Sequence, residues 1–275
     1  MLSDTKIIAL YCIVDDLLKA MGHHDDSRAR VTDSEVITTA FVSVLFFGGH
    51  LQNAIDFMRI KGFVPAMLSK SRYCRRLHRV ADLVVSLFYG LGTRLKAVCG
   101  AESYQLDSFP VAFCDNMRIS NRRLLRQKDF VGRTASMHRY FCGVRVQILT
   151  LKGCPVEFCL VPARENDIKA LYKLPLDVPP ESCIYVDAGY TDYKAEEDLF
   201  YSDAVWLKTV RKSNSKRPDS PSEAYIKNTM RKQIETQISL IKSKMLRCTH
   251  AVTEKGFLLK VALFVIAFAF DKFTN

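Results

Sequence analysis

The chain has 275 residues, enough for one large domain or two modest ones. Hydrophobic residues make up 48% of it, which argues against disorder, and a formal net charge of +11 points to a polyanionic partner, nucleic acid being the commonest, or to a plain solvated surface. Nine cysteines without a C-x-x-C pair argue against a zinc ribbon, and an odd count without a signal peptide fits a reducing cytosol.

The charge is uneven. Residues 1–100 carry 13 basic and 9 acidic side chains, residues 101–200 carry 13 and 14, and residues 201–275 carry 14 and 6. The excess therefore sits mainly at the C-terminal end.

The first hundred residues read as helices. "DTKIIALYCIVDDLLKAMG" has helical apolar spacing and ends on Gly22. His23-His24-Asp25-Asp26 follows and reads as a loop-capping tract, with a metal site as the sharper alternative. "TDSE" (32–35) is a capping-box signature before the apolar "VITTAFVSVLFF", which stops at Gly48-Gly49. A third helix is expected over about 51–60 and a longer one over about 71–97. The stretch "KSRYCRRLHR" (70–79) holds five Lys or Arg and no acid. It reads equally as a DNA-facing helix and as a solvated face.

From about residue 102 the texture turns to strands. "SYQLDSFPVAFC", "RYFCGVRVQILTL" and "CPVEFCLVPA" are strand-like, the last two joined by the hairpin signal Lys152-Gly153. A basic insertion over 115–138 holds six Arg or Lys. His138 at its end reads as a surface residue, and Arg145 in mid-strand as either a phosphate contact or an exposed strand position. Then come a short helix "NDIKALYKL", a strand "CIYVDAGY", a helix "DYKAEEDLF", a strand "AVWLKTV" and a long helix from about 222 to 247. The order β-β-β-α-β-α-β-α predicts an α/β domain, a mixed sheet with helices on its faces. The apolar run Phe257–Phe270 is too short for a bilayer and reads as a buried final helix.

Three acids stand out. Asp107 and Asp187 sit near the ends of two different strands. A bare carboxylate there is costly unless paired or bound to a cation, so each opens a turn or holds something. On the long helix, Arg231, Glu235 and Lys242 fall within roughly 40° of one another at 100° per residue. Glu235 thus sits beside the apolar face, either facing the strand acids or forming an Arg–Glu surface pair. Three converging carboxylates suit Mg2+ or Mn2+, whose hard oxygen chemistry can clamp a phosphodiester. The basic run "KTVRKSNSKR" (208–217), with Lys208, Arg211, Lys212, Lys216 and Arg217, is the expected phosphate groove.

With these residues in place the chain resembles a DDE transposase of a bacterial insertion sequence, closest to the family numbered nine hundred eighty-two. "LDSFPVAFCDNMRISNRRL", "RYFCGVRVQILTLKGCPVEFCLVP", "VDAGYTDY", "RKSNSKR" and "IETQISLI" carry the likeness over about 105–270. The resemblance implies an RNase H-like catalytic domain over 101–275 and a helical DNA-binding domain over 1–100. It implies Asp107, Asp187 and Glu235 as catalytic metal ligands, with Mg2+ or Mn2+ as cofactor. Of the signature Y-x2-R-x3-E-x6-K, Arg231, Glu235 and Lys242 match, while Asn228 stands at the Tyr position. Arg231 and Lys242 are then expected on DNA. The partners implied are terminal inverted repeats and target DNA, with a homo-oligomer assembled on them, in the cytoplasm at the nucleoid. The alternatives are a metal-dependent structure-specific nuclease and an inactive descendant that only binds DNA. Asp187 is expected to end its strand as a ligand, with Gly189 letting the backbone turn away.

Overall fold

Six strands form one mixed sheet, and among the described residues nine α-helices accompany it. The computed structural model describes residues 4–134, 138–212, 215–245, 249 and 251–274, apart from the side chain of residue 117. The chain divides into two compact units, residues 1–90 with 241–275, and residues 91–240. The sequence reading puts a boundary near 100 and runs one domain to the C-terminus. In the structure the last 35 residues group with the N-terminal helices instead.

The first unit contains α1 (Asp4–Ala20), α2 (Asp33–Phe47), α3 (Leu51–Ile60), α4 (Lys70–Arg79), the start of α5 (Ala81–Cys99) and α9 (Glu254–Phe273). The capping box forms as expected: Thr32 Oγ1 accepts from the Glu35 N–H, and Glu35 accepts from the Thr32 N–H. Gly48 and Gly49 both take positive φ and end α2. A Cβ on Gly49 would stand 3.0 Å from Phe264 Cζ. Helix α9 is apolar on every side and buried over Val261–Asp271, as a core helix requires. It lies on α2, with the Phe41 and Phe270 rings 4.9 Å apart. The single helix expected over 71–97 is two, broken at Val80. No Gly or Pro marks that break, so the periodicity runs straight through it. Among the described residues no single helix is long and apolar enough to cross a membrane.

The second unit is built on β1 (Ser103–Asp115), β2 (Val131–Thr134), β3 (Arg139–Leu151), β4 (Cys154–Pro162), β5 (Cys183–Val186) and β6 (Trp206–Thr209). The sheet order is β2-β3-β1-β5-β6, with β4 also on β3. Strands β1, β5 and β6 run parallel, and β3 pairs antiparallel with β1, β2 and β4. The Lys152-Gly153 turn closes β3 onto β4 with φ of 51° and 78°, the left-handed pair that a two-residue hairpin needs. Strand β2 lies inside the expected insertion, three residues of which (135–137) are outside the described set. Gly132 admits it: a Cβ there would come 2.4 Å from the Ala163 carbonyl oxygen. Arg122 folds the preceding loop by donating to the carbonyls of Ile119, Leu125 and Arg126.

The connections are α6 (Asp167–Leu171), α7 (Tyr193–Asp203) and α8 (Pro221–Lys244). Residues 246 and 247, also read as helix, lie outside the described set. Side chains alternate along a strand. Tyr104, Leu106, Ile184, Val186 and Leu207 face one side, in a core with Leu171 of α6 and Ala195 of α7. Gln105 and Tyr185 face the other, where Gln105 Nε2 lies 3.7 Å from Met230 Sδ of α8.

Candidate functional site

The period of two that points Gln105 toward α8 points Asp107 the same way. The β1–β5 ladder pairs Leu106 with Val186 and ends there. One step further, Asp187 leaves β5, while Asp107 stays inside β1, which runs on to Asp115 and is paired there with β3 alone. The expectation that Asp107 stands at a strand end therefore does not hold, and both acids lie on the same face. Neighbouring strands are about 4.8 Å apart, so the two carboxylates are forced into proximity. Glu235 comes from α8, whose buried Ile234 and Ile238 hold the helix to the unit. Arg231, one turn earlier, stands between the last two acids: its Nε is 3.6 Å from Asp187 and its NH2 is 3.1 Å from Glu235. The Arg231–Glu235 pair expected as the plain alternative therefore exists, and it extends to Asp187.

Depth separates the three acids. The Asp187 and Glu235 side chains are 38% and 49% exposed, while Asp107 lies deeper. Burial pushes the Asp107 carboxyl up to about 6, and the charges of Asp187, Asp167 and Glu235 push the same way. The Ser108 N–H, donating to Asp107 Oδ1 at 2.7 Å, pulls against them. The site thus holds one carboxylate at its floor that resists ionisation and two at its mouth, partly compensated by Arg231.

A fourth acid belongs to this neighbourhood and sequence reading missed it. Asp167, the first residue of α6, receives Ser108 Oγ at 2.9 Å, Gln147 Nε2 at 3.3 Å and Arg145 NH1 at 3.4 Å. Tyr190 Oη donates to Gln147 Oε1. Burial first, then the charges of Asp167 and Asp107, lift the Tyr190 phenol well above its usual range. Gly189 keeps a φ outside the left-handed region. Its smallness serves another end than the expected turn, because a Cβ there would sit 3.1 Å from Asp167 Oδ2. Asn166-Asp167 has the look of an ordinary helix start, and Asn166 does cap α6, so nothing local distinguishes Asp167.

The expected basic groove is divided. Arg211 is committed to Glu196 by two bonds of 2.8 and 2.6 Å, both side chains about 10% exposed. Arg217 pairs with Glu197 at 2.6 Å, and both guanidinium groups lie over the Tyr193 ring. Lys212 and Lys216 are exposed, and Lys208 is half-buried on the Tyr185 face of β6. Residues 213 and 214 of the run lie outside the described set. Lys242 is exposed on α8, seven residues beyond Glu235 or about 10 Å along the axis.

A hard divalent cation is tested best by the donors themselves. Asp107, Asp187 and Glu235 offer only carboxylate oxygens, the ligands Mg2+ and Mn2+ take, and Arg231 pairs with the last two of the three. A tighter group occurs in the other unit: the ligand atoms of His23, Asp25 and Asp33 lie within 4.8 Å of one another. Arg76 already occupies that group, with Nε 2.8 Å from Asp33 and NH2 3.6 Å from Asp25. Its chemistry is that of a neutralised ion-pair network that also ties down the His23–Asp26 loop, as the capping reading expects. No family model, curated protein or solved structure matches the chain.

Proposed function

We propose that the chain is a DDE transposase with an RNase H-like catalytic unit, which cleaves DNA at element ends and joins them to target DNA. The observation that carries this reading is the convergence of Asp107 and Asp187, from adjacent parallel strands, with Glu235 from the helix covering that face. The three carboxylates would hold Mg2+ or Mn2+, which supplies Lewis-acid stabilisation of charge developing on a phosphoryl group. The chain's own residues do the rest. Asp107 at the floor is the acid that must lose its proton for the set to bind a cation. Arg231, which pairs with Asp187 and Glu235, would hold the phosphate backbone as a fork, and Lys242, seven residues further along α8, as a point charge. In the first step a water oxygen bonds to phosphorus, the P–O3′ bond breaks and the 3′-oxygen takes a proton. In the second that hydroxyl attacks target phosphorus and displaces the target's own 3′-oxygen.

The test is strand cleavage and joining with a duplex carrying the inverted repeats that flank the gene. Asp107→Asn, Asp187→Asn and Glu235→Gln should each abolish Mg2+-dependent cleavage and leave DNA affinity within about twofold, since each removes one anionic ligand at nearly constant volume. Normal cleavage by Glu235→Gln removes the third acid from the site. Cleavage without joining makes the chain a nuclease, and binding without either makes it an inactive descendant.

A further inference from the structure

We infer that α4 of the helical unit is a duplex-DNA-binding element, gripping phosphates through Arg72, Arg75 and Arg79. This rests on the reading that the chain acts on DNA, and it names where the helical unit would hold it.

The helix has two opposed faces. On one, Tyr73 and Leu77 are buried, and Tyr73 Oη donates to the Val36 carbonyl at 2.8 Å. Arg76 on the flank of that face is spent on Asp33 and Asp25. Asp33 is further held by His23 Nε2 at 2.9 Å, and its N–H donates to Asp25 Oδ1 at 2.7 Å. These bonds lock α4 onto the start of α2. At 100° per residue, Arg72, Arg75 and Arg79 fall within roughly 60° of one another and opposite the Tyr73–Leu77 edge. All three are exposed, as is His78 on the flank; Lys70, exposed at the start of the helix, falls on the Leu77 side. Among the described residues no carboxylate pairs with Lys70, Arg72, Arg75 or Arg79, whereas the exposed Arg28 and Arg59 of the same unit pair with Asp26 and Asp56. The closest partner of the three arginines is internal, Arg75 Nε donating to the Ser71 carbonyl at 3.4 Å.

A face that merely keeps a protein soluble mixes both signs of charge. This one carries Arg72, Arg75 and Arg79 and no acid, on a helix whose other side is seated through Tyr73 and Leu77. Three of the free cations are arginines, whose planar forks suit phosphate oxygens. A ten-residue helix is about 15 Å long, and a helix of ordinary diameter enters a major groove about 12 Å wide. Arg72 and Arg79 are then about 10 Å apart along the axis, a span that lets them reach phosphates along the groove edge.

The measurement is fluorescence anisotropy of the full chain with a labelled duplex of about 25 base pairs, in EDTA, across roughly 50 to 300 mM salt. The slope of log affinity against log salt should flatten by about 2.7 in Arg72→Gln/Arg75→Gln/Arg79→Gln, at about 0.9 per lost phosphate contact. Each single variant should flatten it by about 0.9, which keeps the test valid should the triple variant lose its fold. Arg28→Gln/Arg59→Gln, whose cations are already paired, should keep the wild-type slope. A wild-type slope in the triple variant overturns the inference, as does a wild-type chain that does not bind the duplex. Tighter binding of an A-form RNA duplex that the triple variant loses overturns DNA as the partner. Because the titration contains no free divalent metal, failure of the cleavage reading leaves these slopes unchanged, and failure here leaves Mg2+-dependent cleavage by the catalytic unit to stand or fall by itself.

Discussion

At the scale of residues, Asp107 sets the pH behaviour of the site. Its carboxyl is lifted from 3.8 to about 6 in the folded chain. A raised acid stabilises the fold fully below its unfolded value, where it is protonated in both states. That contribution is lost as pH rises through the folded value. Without divalent metal, stability should therefore fall between about pH 4 and pH 6. Asp107→Asn, which keeps the shape without the charge, should be more stable than wild type at pH 8 by on the order of 2–3 kcal/mol at 1.36 kcal/mol per pKa unit. Urea titrations in EDTA at pH 4 and pH 8 check the sign: the two proteins should differ little at pH 4. If divalent cations bind at the acids, Mg2+ should selectively restore wild-type stability at pH 8, because a bound cation favours the ionised carboxylate that burial and the neighbouring acids disfavour. Arg231 is the second residue whose charge matters there. It spans Asp187 and Glu235 and competes for oxygens a cation would use. Arg231→Met should tighten Mn2+ binding about fivefold, an exposed ion pair being worth about 1 kcal/mol. Calorimetric titration with Mn2+ reads this directly, and weaker binding would make Arg231 a support of the acids rather than their competitor.

At the scale of elements, helix α5 is tied to strand β4 by a buried ion pair that no periodicity announces. Glu157 on β4 and Lys96 on α5 meet at 2.8 Å with side chains 1% and 6% exposed. Glu157 also accepts from the Leu176 N–H, and Lys96 also donates to the Asp177 carbonyl. Gly92 lets α5 approach, since a Cβ there would meet the Val156 carbonyl oxygen at 2.4 Å. Removing one partner leaves the other charged and buried, so Lys96→Met should cost about 3–5 kcal/mol. The joint change Lys96→Met/Glu157→Gln should recover a large part of it, measured by urea unfolding. Strand β1 shows the same dependence on neighbours. Pro110 sits in mid-strand, which is tolerable because β5 pairs only with Ser103–Leu106 and leaves the later edge of β1 open.

At the scale of the whole molecule, the chain's ends belong together. Lys6 on α1 pairs with Asp271 on α9 at 2.6 Å, and Phe270 stacks by Phe41 of α2. The last helix completes the core of the first unit. Phe270→Ala should cost about 3–5 kcal/mol, as deletion of a buried ring does. Hydrogen exchange should place the loss in α1, α2 and α9 and leave protection of β1, β3 and β5 near its wild-type level. A loss spread evenly through the sheet would mean that the two units unfold as one.

The sequence by itself determined what local chemistry decides. The α2 cap, the Gly48-Gly49 stop, the Lys152-Gly153 hairpin and the mixed α/β alternation rest on backbone conformations and periodicities within a few residues. It also singled out Asp107, Asp187 and Glu235, because an acid within or just after an apolar strand, or flanking an apolar helix stripe, stands out from its neighbours. The tertiary structure alone decided what depends on partners far along the chain. Strand β2 is short and needs β3 to exist, and the break at Val80 changes no local propensity. Asp167 joins the acids only because Ser108, Gln147 and Arg145, up to 59 residues away, converge on it. Arg211 and Arg217 read as free cations until Glu196 and Glu197 are found beside them. Charge is written in the sequence, but whether it is neutralised depends on distance through space, which folding alone sets.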